Sequence, residues 1–155
     1  MRTLSCFALI VSCAMIGCAK DWPDREIVPV PLNLGNVGTF SISLPSGLKR
    51  STQDGPLAIY EGEGSGAPYV LVSGTNFGSD ETPENFIAGS KDGSSFENKD
   101  VQGGYGVAYE SDGPHVHVQK KVGTKILTCD ASMPGGTKDR AKRAAAIFRI
   151  CTSMK

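Results

Sequence analysis

Lys125-Ile126-Leu127-Thr128-Cys129-Asp130-Ala131, followed beyond Pro134-Gly135-Gly136 by Ala141-Lys142-Arg143-Ala144-Ala145-Ala146-Ile147-Phe148-Arg149-Ile150-Cys151, is the stretch that decides the fold. The first run alternates, which puts Leu127, Cys129 and Ala131 on one face of a strand. In the second run the period lengthens to that of a helix, expected over 137–153, and Ala141, Ala144, Ala145, Phe148 and Cys151 fall in one stripe. A strand with one apolar face followed at once by a helix with an apolar stripe predicts helix-on-sheet packing. The Leu127/Cys129/Ala131 face then meets the stripe that carries Cys151.

Upstream, the chain reads as more sheet. Thr39-Phe40-Ser41-Ile42-Ser43-Leu44 alternates cleanly, burying Phe40, Ile42 and Leu44, and Pro45-Ser46-Gly47 stops it. Leu57-Ala58-Ile59-Tyr60-Glu61 and Tyr69-Val70-Leu71-Val72 flank the acidic, glycine-rich tip Gly62-Glu63-Gly64-Ser65-Gly66, which predicts a hairpin. Thr82-Pro83-Glu84 is a helix start, with a capping hydroxyl, a proline at the first helical position and an acid at the positive end of the dipole. A short middle helix over 83–91 follows from it, with Phe86 and Ile87 turned inward. Strands at 106–110, 115–121 and 125–131, separated by Ser111-Asp112-Gly113-Pro114 and by a turn at Gly123, read as a meander. The fold class is therefore α+β: an antiparallel sheet, a short middle helix, and a C-terminal helix packed on the sheet.

The order of these elements resembles the PsbP-like family of small α+β domains over residues 39–154. Three segments carry the likeness: Phe40-Ser41-Ile42-Ser43-Leu44-Pro45-Ser46-Gly47-Leu48, Glu84-Asn85-Phe86, and Ala144-Ala145-Ala146-Ile147-Phe148-Arg149-Ile150. The resemblance implies a sheet with helices on it and a binding or assembly role, without a particular chemistry.

The N-terminal segment supplies an address. An apolar run over 4–16 follows Arg2, is too short to span a bilayer, and ends in Met15-Ile16-Gly17-Cys18. This ending resembles the lipobox of bacterial lipoproteins. The resemblance implies cleavage before Cys18, acylation of that cysteine, and, with Ala19 next, retention at the outer membrane facing the periplasm. An ordinary signal peptide or a buried N-terminal helix is the competing reading. Residues 1–17 are then the signal peptide, 18–36 a proline-containing tether able to reach roughly 50 Å, and 37–155 a single domain. Ile27, Val28 and Val30 leave room for part of the tether to dock as an edge strand. Cys6 and Cys13 leave with the signal and Cys18 goes to lipid. Cys129 and Cys151 remain as a pair in an oxidising compartment, and a disulfide between them is expected in place of two buried free thiols. In the chain-entropy picture its closure of a loop of about 22 residues contributes about 3 kcal/mol.

Sixteen basic residues against sixteen acidic ones give a formal net charge of zero, and loss of Arg2 leaves about −1. Nucleic acid is not an expected partner, and the basic cluster at 138–143 reads as a solvated helix face. His115 and His117 share one side of a strand at a spacing that can chelate a metal, with Glu110 as the nearest further ligand; a polar outer sheet face is the plainer account. No metal site, cofactor or catalytic residue is assigned. Glu61 and Glu63, and Asp80 and Glu81, lie in loops without apolar neighbours to raise a carboxyl pKa and read by default as solvated loop charge; for a protein-binding role they, with Ser79, are the candidate contact residues. A lipid-anchored domain without catalytic groups is expected to bind protein. It looks like the immunity lipoproteins encoded beside type VI secretion effectors, which would neutralise a toxic effector such as a peptidoglycan hydrolase. The alternatives are an accessory or scaffold lipoprotein of an envelope or secretion assembly and a metal-binding factor using His115 and His117.

Overall fold

Alternation along the meander becomes the centre of the sheet. In a computed structural model of the chain, which describes residues 21–64, 66–76, 96–101, 104–110, 113–134 and 139–155, nine strands and one α-helix follow one another. They are β1 (Ile27–Asn33), β2 (Thr39–Pro45), β3 (Lys49–Asp54), β4 (Leu57–Glu61), β5 (Tyr69–Asn76), β6 (Phe96–Val101), β7 (Gly104–Glu110), β8 (Pro114–Val122), β9 (Lys125–Ser132) and α1 (Arg140–Thr152). Short 3-10 turns precede β1 at Trp22–Asp24 and β2 at Gly35–Val37. Seven strands form one antiparallel sheet in the order β3-β4-β5-β9-β8-β7-β6, while β1 and β2 pair only with each other.

One face of the large sheet is the core face. Ala58, Tyr60, Val70, Val72, Leu127, Cys129, Ala131, Val116 and Val118 are buried there, one strand after another at period two. Helix α1 lies against β8 and β9, and touches β2 as well. The β1–β2 hairpin contributes Leu32, Ile42 and Leu44 to the same core, and the turn between them adds Leu34 and Val37 over β5. At Gly74 of β5 an added Cβ would sit 2.9 Å from Val37 Cγ1 and 3.0 Å from Leu34 Cδ1, so the turn packs where the strand has no side chain. Helix and hairpin thus form a second layer over the sheet, consistent with the α+β class.

The helix lies over the Leu127/Cys129/Ala131 face as its sequence position implies, but the contact stripe differs from the expected one. Its buried residues are Arg143, Ala146, Ile147, Ile150 and Cys151; Ala141 and Ala145 are exposed, and Ala144 and Phe148 are half-buried. Ile147, Ile150 and, past the helix end, Met154 bury more apolar area than the alanines would, and that area sets the rotation of the helix. The last turn is held by partners from elsewhere: Lys120 Nζ of β8 donates to the carbonyls of Thr152 at 3.0 Å and Met154 at 2.8 Å. Lys155 then exchanges backbone hydrogen bonds with Ser41 on the open edge of β2.

Two strands, β3 and β6, have no counterpart in the sequence reading. Both are edge strands with sequences Lys-Arg-Ser-Thr-Gln-Asp and Phe-Glu-Asn-Lys-Asp-Val, and charge on an edge leaves no alternation to read while it discourages pairing with other chains. The expected tether also differs. From Asp21 onward the chain is built into the domain, with Trp22 4% exposed and Leu32 and Leu34 fully buried. The docking raised by Ile27, Val28 and Val30 extends through the whole of β1, because Pro29 and Pro31 alternate with residues that face the interior. The middle helix expected over 83–91 lies outside the described residues.

Candidate functional site

The two cysteines assigned to each other come together: Cys129 on β9 and Cys151 on α1 have their sulfurs 2.02 Å apart and Cα atoms 5.3 Å apart, a disulfide-distance pair between strand and helix. Cys18 lies outside the described residues, as do Ser79, Asp80 and Glu81. Of the acidic contact residues, Glu61 ends β4 and is exposed, and Glu63 stands in the hairpin tip. Glu63 Oε1 accepts from Lys49 Nζ at 2.6 Å. This hydrogen bond, with the attached charge, holds the Glu63 carboxyl below and the Lys49 ammonium above their ordinary values. The tip therefore presents a compensated ion pair with Glu61 beside it, less acidic than its sequence alone implies.

Below the tip is a network that sequence reasoning missed. Arg143, read as part of a solvated basic face, is only 9% exposed. Its Nη2 donates to Asp21 Oδ2 at 2.9 Å, and its Nη1 to the carbonyls of Gly66 at 3.3 Å and Pro134 at 3.4 Å. Lys142 Nζ reaches Asp24 Oδ2 at 2.7 Å. Trp22, between these acids, lies under Arg25, whose guanidinium is 3.6 Å from the indole centroid. The indole also occupies the space above Gly62, where an added Cβ would be 2.5 Å from Cη2 and Cζ2. The start of the domain, the hairpin tip, the loop after β9 and the beginning of α1 are thus fastened together at one end of the molecule. The available signal was the periodicity: Arg143 lies in register with Ile147 and Ile150, on a face too apolar for an unpaired guanidinium.

The opposite face of the seven-stranded sheet carries the histidines. His115 and His117 point to it from β8, and Asp130, opposite His117 in the register, points to it from β9. His117 Nδ1 contacts Asp130 Oδ1. Burial, then the charge of His115, push the His117 imidazole below its ordinary value, which favours the neutral ring. Beside them, a recess of about 130 Å³ is lined by Tyr69, His115, Val116, Asp130, Ala131 and Ser132. Asp130 was absent from the sequence reading, yet the two-residue turn Gly123-Thr124 pairs Val122 with Lys125 and, counted outward, His117 with Asp130. Among the described residues no group of three or more His, Cys, Asp or Glu is arranged to hold a metal. Leu57, Ile59, Leu71, Ile126 and Tyr69 share this outer face, all half-buried.

Neither protein-family models nor curated protein sequences give a match to this chain. Among the described residues no helix is long and apolar enough to cross a membrane.

Proposed function

We propose that the chain is a lipid-anchored envelope protein that binds another protein, and specifically an immunity protein that neutralises a toxic effector such as a peptidoglycan hydrolase. The observation that carries the binding role is the outer face of the large sheet. Leu57, Ile59, Leu71, Ile126 and Tyr69 are left half exposed beside His115, His117 and Asp130, on a scaffold fixed from behind by helix, hairpin and the cysteine pair. In the register Leu57, Ile59, Leu71 and Tyr69 adjoin one another on β4 and β5, with Asp130, His115 and His117 beside them; apolar groups next to polar ones suit a protein interface, and a rigid scaffold limits the entropy lost on binding. The lipobox-like Met15-Ile16-Gly17-Cys18 supports the envelope location. The PsbP-like arrangement of sheet and helix is part of the same proposal and favours a binding role over catalysis.

Glu61 and Glu63, expected as partner contacts, lie at the hairpin tip, where Glu63 is bound to Lys49, and are assigned no contact with the partner in this reading. Protection tests the function: cells that secrete the neighbouring gene's effector into the periplasm should lyse without the full-length chain and survive with it. Continued lysis in its presence would end the immunity reading. Damage on deleting the chain in cells that lack the effector would put an assembly role in its place.

A further inference from the structure

We infer that the end of the domain formed by Asp21, Gly47, Gly62, Gly66, Pro134 and the start of α1 rests against the lipid surface of the membrane that holds Cys18, which orients the rest of the molecule away from it. The inference rests on the lipid-anchor reading and adds an orientation to it. Its basis is the length of chain between anchor and fold. Asp21 is already fixed, its carboxylate shared between Arg143 Nη2 and the Trp22 backbone N–H, both at 2.9 Å. Trp22 is buried, and Arg25 both covers its ring and donates to the Ser46 carbonyl at 3.2 Å. Only Ala19 and Lys20 stand between Cys18 and Asp21. Three residue steps reach at most ~11 Å, against the roughly 50 Å that a free segment up to Asn36 would give.

That distance is shorter than the domain. Strand β9 runs from the turn at Gly123-Thr124 to Pro134 beside Arg143, and its eight residues extend about 25 Å. The turn at Gly123-Thr124 is therefore remote from the anchor, as is Gly55, which precedes β4 at the end opposite Glu61, itself level with Tyr69 and Ser132. The Glu61-Gly62-Glu63 tip belongs to the anchored end. A partner in the periplasm consequently meets the remote turns and the part of the outer sheet face next to them, while the acidic tip is directed at lipid headgroups.

The test uses the full chain purified from membranes and reconstituted in phosphatidylethanolamine/phosphatidylglycerol vesicles whose headgroups carry a nitroxide quencher. A fluorophore is attached either at Glu63→Cys or at Thr124→Cys, both exposed positions. Intact mass first reports acylation of Cys18. With acylated protein, loss of most of the emission at position 63 and retention of it at 124 is expected. A flexible insert of about twenty Gly/Ser residues between Lys20 and Asp21 should abolish that difference. Equal quenching at the two positions in acylated protein without the insert overturns the orientation and leaves the anchor standing. An unacylated Cys18 overturns the anchor and the orientation with it.

Discussion

Arg143 illustrates how much a single side chain can hold. Its replacement by alanine removes the hydrogen bonds to Asp21, Gly66 and Pro134 and leaves the Asp21 carboxylate without its cation. Because Asp21 is about half exposed, water recovers part of the loss, and the expected destabilisation in denaturant unfolding is about 1–3 kcal/mol. A loss below 0.5 kcal/mol, the scale of an ordinary surface substitution, would return Arg143 to the solvated face it was expected to occupy. His117 gives a second test at this scale. With its folded value depressed by burial and by His115, the unfolded chain takes up the proton more readily. The contribution of His117 is then complete above about pH 6.5 and is lost as pH falls from there through the folded value. An NMR titration should place the His117 transition below that of a free histidine. A transition above it would show that the Asp130 carboxylate outweighs burial.

At the scale of elements, the helix and strand joined by Cys129 and Cys151 are the critical pair. Cys129→Ala/Cys151→Ala should lower stability by about 3 kcal/mol, read as a shift in denaturant midpoint with little change in slope. Within α1, Ile147→Ala should cost ~2–5 kcal/mol and Phe148→Ala distinctly less, because Ile147 is fully buried and Phe148 only in part. The reverse order would restore the stripe read from the alanines. The strands that alternate, β2, β4, β8 and β9, were legible because one face of each is buried; β3 and β6 were not, because these edge strands carry charged residues at successive positions and show no alternation in sequence. The tether was misread for a related reason. Its prolines suggest a spacer, yet on β1 Pro29 and Pro31 alternate with residues that turn inward, and pairing with β2 tolerates them. Of the candidate site, the cysteine pairing and the position of the histidines were readable; Asp130 and Arg143 emerge only when register and helix rotation place them.

For the whole molecule, three features belong together: the proposed anchor at Cys18, a chain already fixed at Asp21 three residues later, and a half-buried outer sheet face that runs from the fastened end to the remote turns. Capture of a second protein is proposed from the three together. Substituting Leu71 and Ile126 by glutamate places charge on that face at positions that are only half-buried. The double variant should keep its fold by circular dichroism and lose partner binding at least tenfold, about 1.4 kcal/mol or more. Unchanged affinity in the folded variant would move the interface to another surface. The most direct measurement is inhibition of the neighbouring gene's hydrolase on purified peptidoglycan, titrated with the full chain in detergent. Hydrolysis should fall with added chain and stop near equimolar amounts; undiminished hydrolysis at a large molar excess would rule out neutralisation of the hydrolase.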